Sequence, residues 1–242
     1  MIGILGGMGT QAGLDFCNKL AIQYRGKIDQ DYPLFFLYNK SNIPGRPESI
    51  GKTTGALSNR FKNISSKKKY IKVLKSLIDG CKKLEKAKCK FIVIPCNTAH
   101  YWYEDLQKKI KIPIINMPKE VFNHTKKNCR IYSKIGLLAT EGTLKTKVYD
   151  KIFNKNYKLF FPNNKLQKQS VNKAIKDVKM GNVKKAAKAI QPAINYLVKN
   201  KCKKIILGCT ELPIAIFAFK SIKTVKSSKI FLDPNLILAQ SA

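Results

Sequence analysis

The sequence predicts an α/β fold of two pseudo-symmetric lobes, each a mainly parallel β-sheet flanked by helices, with an active site in the cleft between them. Three observations carry that prediction. Short apolar runs alternate with longer segments of helical period along the whole chain, the pattern of parallel strands covered by helices. Two motifs occur twice: "IGILGGMGT" at 2–10 pairs with "IGLLATEGT" at 135–143, and "CKFIVIPCNT" at 89–98 pairs with "CKKIILGCTE" at 202–211. Ligands of open parallel sheets bind beyond the carboxyl ends of strands, and each half places a turn and a cysteine there.

In chain order, the first half offers strands at Ile2–Leu5, Leu34–Tyr38, Phe91–Ile94 and Ile112–Ile115, with helical segments such as Gln11–Tyr24 and Tyr70–Leu84 between them. The second half offers Ile135–Leu138, Leu159–Phe161, Ile205–Leu207 and Ile230–Leu232. The glycine-loop motifs are offset by 133 residues and the cysteine motifs by 113. The difference of 20 residues is placed in Asn39–Asn63, which is rich in Gly, Pro, Ser and Thr and reads as an inserted loop. The expected division is a first lobe at 1–116, a second at 117–216, and a closing segment at 217–242 that packs back on the first.

Composition narrows the function classes. The 242 residues, 44% of them hydrophobic, suffice for a real core. No apolar run approaches the roughly 20 residues that a membrane helix needs. "MIGILGGMGT" lacks the basic-then-apolar order of a secretory leader. The seven cysteines form no C-x-x-C pair and no grouping with the two histidines, which argues for a reducing cytoplasm and against disulfides or zinc. The formal charge of +33 invites a nucleic-acid reading. Yet only Arg25, Arg46, Arg60 and Arg130 of the 47 basic residues are arginine, the side chain suited to gripping phosphates and base edges. The lysines are spread along almost every helical segment, as biased composition on a solvated surface leaves them.

The chemistry-bearing residues gather at the predicted strand ends. Pro95 closes its strand because it lacks a donor N–H, and Cys96 follows it. Asn97 or Thr98 can cap the next helix, which would set the sulfur near free amides and the positive end of a dipole and lower its pKa. Cys209 stands in the same context, after Gly208 and before Thr210, with Glu211 in the first turn. One such cysteine reads as core; two at equivalent places read as a working pair. Cys17, Cys81, Cys89, Cys129 and Cys202 lack that context and read as packing or surface residues. Gly7-x-Gly9-x-x-Ala12 fits a dinucleotide fingerprint, but no acidic residue ends the second strand, so NAD is not expected. The loop instead suits a carboxylate at a helix N-terminus. Gly45 and Gly51 are separated by five residues where a phosphate loop has four, and Arg46 between them suits a carboxylate clamp. His100 lies one turn past Cys96 on a helix that runs away from the strand edge, so a structural role is expected for it. His124 has no supporting partners.

Taken in order, "MIGILGGMGT", "IPCNTAH", "IGLLATEGT", "GCTELP" and the closing "LDP" with its later "LA" resemble the aspartate/glutamate racemase family, which works without pyridoxal phosphate. The resemblance covers nearly the whole chain and is nearest to the aspartate racemase branch. It implies interconversion of L- and D-aspartate or glutamate by two-base proton transfer, with no cofactor and no metal. It also implies a homodimer acting on a small amino acid with a side-chain carboxylate. Cys96 and Cys209 would be the thiolate and thiol. Met8, Gly9, Thr10, Asn97, Thr98, Thr140, Thr143 and Thr210 would bind the carboxylate, while Arg46 and, by position in "LQKQS", Lys168 would grip the side chain. "HYWYED" and "AIFAF" are bulkier than the family pattern and would reshape the pocket. Two other readings stand beside this one: a maleate-type isomerase or related dicarboxylate enzyme of the same superfamily, and a lysine-rich nucleic-acid-binding protein. Neither nucleic acid nor membrane is an expected partner.

Overall fold

The structure, a computed structural model, describes residues 1–50, 64–217 and 228–242. Strand β1 (Ile2–Gly6), helix α1 (Thr10–Gln23) and strand β2 (Phe35–Asn39) open the chain. Helix α2 (Ile64–Lys86), strand β3 (Phe91–Val93), the short helix α3 (Tyr103–Gln107) and helix α4 (Met117–Asn128) follow. The second half begins with β4 (Lys134–Ala139), α5 (Glu141–Thr146), α6 (Asp150–Phe153) and β5 (Lys158–Phe160). Helix α7 (Asn164–Leu166) runs through a π-helical segment at Gln167–Asn172 into α8 (Lys173–Lys179). Helix α9 (Val183–Lys199), strand β6 (Lys204–Gly208), α10 (Leu212–Phe217), β7 (Phe231–Leu232) and α11 (Pro234–Gln240) complete it.

Among the described residues every strand pairing is parallel, in the orders β2-β1-β3 and β5-β4-β6-β7. The strand expected at Ile112–Ile115 contracts to a single parallel bridge between Ile92 and Ile114. Ile92 N–H donates to the Pro113 carbonyl at 2.8 Å and Ile115 N–H to the Ile92 carbonyl at 2.9 Å, while Pro113 itself has no donor to offer. That bridge sits beside β3 as β7 sits beside β6, so the duplication read from the motifs recurs in the sheet order.

Helix α2 shows why helical spacing builds a core here. Tyr70, Val73, Leu77, Cys81 and Leu84 share one face, and all are fully buried over β1 and β2. Burying each large apolar side chain contributes about 1.5–3 kcal/mol. Trp102 is buried against this helix, its ring stacked on Tyr70 and its indole N–H donating to the Tyr70 carbonyl at 3.2 Å. Tyr101 meets both rings edge-on. The bulk of "HYWYED" therefore packs largely into the core.

The closing segment divides. Phe231 and Leu232 pair with β6 in the second sheet, whereas α11 packs on α1 and α4. Asn235 reaches the Ala12 carbonyl at 3.1 Å, and Lys19 pairs with Asp233 at 2.7 Å. Of the segment expected to pack back on the first lobe, α11 meets both α1 of that lobe and α4, which opens the expected second one. Residues 51–63 of the expected inserted loop, including Gly51, and residues 218–227, including Phe219 of "AIFAF", lie outside the described residues. No described helix is long and apolar enough to cross a membrane.

Candidate active site

The carboxyl ends of the two sheets face each other across a cavity of about 60 Å³. The turn after β3 supplies Cys96, Asn97 and Thr98; the turn after β6 supplies Cys209, Thr210 and Glu211. Both cysteines are free thiols and almost wholly buried. Gly9, at the start of α1, comes so close to the other lobe that a β-carbon on it would stand 3.6 Å from a Glu211 carboxylate oxygen.

The capping expected of Asn97 and Thr98 does not occur. A five-residue 3₁₀ helix follows Cys96, and Asn97 makes no side-chain cap for it. Both side chains cross to the second lobe instead. Tyr149 O–H donates to Asn97 Oδ1, and Thr98 Oγ1 lies 2.8 Å from Thr143 Oγ1. Thr140 does cap, accepting from Thr143 N–H at 3.0 Å, and its hydroxyl joins the same cluster. Asn97 Nδ2 is buried and finds no partner among the described residues, a state that native side chains rarely tolerate without a ligand or water.

His100 supports Cys96 without touching its sulfur. Met117 N–H donates to His100 Nε2 at 3.1 Å, which puts the ring proton on Nδ1, 2.9 Å from the Cys96 carbonyl. Burial pushes the His100 pKa down, so the ring stays neutral.

Cys209 differs from Cys96 in having an acid beside it. Its Sγ donates to Glu211 Oε2 at 2.9 Å, and Lys179 Nζ lies 3.8 Å from Glu211 Oε1. Burial first, and then the Glu211 charge, push the Cys209 thiol well above its ordinary range. This corrects the lowered pKa expected from a helix dipole: α10 is only six residues long, and a full carboxylate charge outweighs the partial charge of a short helix end.

The predicted carboxylate ligands separate into two groups. Met8, Arg46, Asn97, Thr98, Thr140, Thr143 and Thr210 line the cavity. Arg46 is anchored by donating to the Met8 carbonyl at 3.1 Å and the Pro44 carbonyl at 3.4 Å. Gly9 borders Glu211, while Thr10 turns outward and accepts from Asn39 Nδ2 at 3.2 Å. Lys168 is also outside: the π-helical segment turns Gln167 inward onto the Ala139 carbonyl at 2.9 Å and leaves Lys168 exposed on a separate depression. Among the described residues, Lys179 at the end of α8 is the lysine that reaches the cavity. The sequence signals for Lys179 and Glu211 were weak. Glu211 was visible as an acid two residues past a paired cysteine, but Lys179 was one lysine among several on its helices.

The model of the Asp/Glu/hydantoin racemase family matches residues 5–242. The broad specificity amino-acid racemase RacX of Bacillus subtilis (strain 168) is 29% identical over 219 residues, covering 88% of this chain and 86% of that protein. The Picrophilus torridus aspartate racemase superposes with a TM-score of 0.77 at 29% identity, over 99% of this chain and 91% of that one. A glutamate racemase from Bacillus anthracis shares the fold, with a TM-score of 0.67 at 17% identity over 100% and 79% of the two chains. Site, sheet order and matched length agree: the chain belongs to the Asp/Glu/hydantoin racemase family.

Proposed function

We propose that this chain is an amino-acid racemase that interconverts L- and D-aspartate or glutamate with Cys96 and Cys209 as its two bases and no pyridoxal phosphate. The observation that carries the proposal is the pair of thiols, one from each lobe's equivalent strand end, lining one cavity with Arg46 and Lys179. A thiolate removes the α-proton from one face, and the opposite thiol returns its proton to the other face of the planar carbanion. Cys209, held protonated beside Glu211, is the resting donor, so Cys96 acts first as base on one enantiomer. The reverse direction starts from the state that each forward turnover leaves, with Cys209 as the thiolate base and Cys96 as the thiol that returns a proton.

The α-carboxylate takes up charge as the proton leaves, and fixed donors directed at it lower the barrier. Asn97 Nδ2 and the Thr98–Thr140–Thr143 hydroxyls are the donors proposed for it. Arg46 and Lys179 are the cations proposed for the side-chain carboxylate, Lys179 taking the place expected of Lys168. The proposed working unit is a homodimer, with residues 1–116 and the returning last helix as one lobe and residues 117–216 as the other.

Incubation with L-aspartate and L-glutamate in D₂O tests this reading. One of them should gain α-deuterium and yield the D-enantiomer, and Cys96→Ser or Cys209→Ser should lower the rate by a factor on the order of 10²–10⁴. Absence of exchange with either acid, or full activity in both serine variants, would overturn it.

A further inference from the structure

Residues 140–149 of the second lobe hold the turn after Cys96 through three hydroxyls. Thr140 and Thr143 meet Thr98, at 3.4 Å and 2.8 Å, and Tyr149 meets Asn97. The segment is fixed from within. Thr146 Oγ1 donates to the Thr143 carbonyl at 2.7 Å, and Lys147, with φ 52°, ends α5 in the left-handed conformation and turns the chain toward α6. Tyr149 stands just before α6, 1% exposed, with its ring tilted on Phe153. A ring so large in so closed a place has little freedom to carry its hydroxyl elsewhere.

An asparagine amide has two unlike ends, a carbonyl oxygen that accepts and an amino group that donates. The two have nearly the same shape, so hydrogen bonds rather than packing decide which way the group points. The buried Tyr149 hydroxyl donates to Asn97 Oδ1, and turning the amide over would leave that O–H without its acceptor, a state buried donors rarely hold. Burial first, and then the charge of Asp233, push the Tyr149 pKa up, so the phenol keeps the proton that it donates. With Oδ1 occupied, the end of Asn97 left to the cavity is Nδ2, the buried atom without a partner among the described residues.

We propose that Tyr149 is a positioning residue for substrate recognition: by holding Asn97 Oδ1 from the other lobe, it makes the donor Nδ2 the end that a bound amino acid meets, and so assigns that point of the cavity to a carboxylate rather than to an ammonium group. This rests on the racemase reading above and adds to it the group that gives Asn97 its polarity. It also makes a substrate contact depend on lobe docking, since Asn97 and Tyr149 lie 52 residues apart on opposite lobes.

The kinetics of α-deuterium exchange on L-aspartate and L-glutamate test each half of this. Asn97→Asp keeps the shape and the acceptor for Tyr149, but offers the substrate an oxygen in place of N–H. With a carboxylate at that point, like charges meet, and KM should rise about 10-fold or more above that of Asn97→Ala. A KM for Asn97→Asp equal to or below that of Asn97→Ala overturns the assignment to a carboxylate. Tyr149→Phe removes the hydroxyl alone. Its KM should rise about 10-fold, whereas a mere loss of folded enzyme lowers kcat at unchanged KM. In an Asn97→Ala background, adding Tyr149→Phe should change KM less than about twofold, because no amide is left to orient. An unchanged KM in Tyr149→Phe, or the same rise with and without Asn97, overturns Tyr149 as the positioning residue. The Asn97→Asp comparison holds whether or not Tyr149→Phe folds. A wild type that exchanges neither acid overturns the racemase reading instead, and calorimetric titration of the same variants with L-aspartate and L-glutamate then reads the same ratios as dissociation constants.

Discussion

Cys209 and Glu211 carry the most specific chemistry at the scale of single residues. The thiol proton lies on a line of 2.9 Å to a buried carboxylate, so ionising Cys209 would place two negative charges side by side in a poorly solvated site. Glu211→Gln keeps the shape and an acceptor oxygen but removes the charge. In a Cys96→Ser background, the pH midpoint for alkylation of Cys209 by iodoacetamide should move to lower pH than with Glu211 present. An unmoved midpoint would show that burial alone sets the thiol. The paired cysteines were legible in the sequence because a strand, a helix-breaking residue, a cysteine and a polar cap recur together. Lys179 was not. Lys165, Lys168, Lys173, Lys176 and Lys179 follow one another on adjoining helical segments. With so many lysines on one face or another, the inward one is chosen by how α8 docks, which is a property of tertiary packing.

Among the elements, the return of α11 is the joint that ties chain end to chain start. Asp233 caps this helix, its Oδ1 accepting from Asn235 N–H at 2.9 Å and Leu236 N–H at 3.3 Å, while its Oδ2 pairs with Lys19 of α1. Asp233→Ala removes the cap and leaves Lys19 with Asp15 alone, at a cost of about 2 kcal/mol. Asp233→Asn retains the cap and should cost less; equal losses in urea unfolding would mean that the ion pair dominates. The turn after β1 is as closely specified. Gly7 has φ +91°, and a β-carbon there would meet the Lys40 backbone at 2.2 Å. Gly7→Ala should therefore destabilise by about 3 kcal/mol or more in urea unfolding, and it should weaken substrate binding by displacing Met8, whose carbonyl anchors Arg46. The sequence announced this turn through its glycines. It did not announce that Asn97 and Thr98 would abandon capping for partners on the other lobe, since Tyr149 and Thr143 are 52 and 45 residues away.

Across the whole molecule, the buried thiols set a limit at alkaline pH. Burial pushes Cys81 up to about 12 and Cys202 up to about 11, and Cys209 is also raised. Above the ordinary thiol value of 9.0 the unfolded chain loses these protons while the folded chain keeps them, so stability falls as pH rises. Each such thiol contributes a slope of about 1.4 kcal/mol per pH unit. Lysine titration relieves the +33 charge over the same range, and the Cys81→Ala variant separates the two effects. Between pH 9 and 11 the wild type should lose stability more steeply than Cys81→Ala by about that slope in urea titrations. Parallel curves would remove Cys81 from the account.

What the sequence by itself determined is the repeating part: parallel strands, covering helices, two lobes and a cysteine at each equivalent strand end. These follow from periodicity and from residues that must end a strand, which are local properties of the chain. The tertiary structure alone decided which lysine enters the cavity and which side chains reach across from one lobe to the other. Those outcomes depend on distances between residues far apart in the chain, and only the docking of two finished lobes sets such distances.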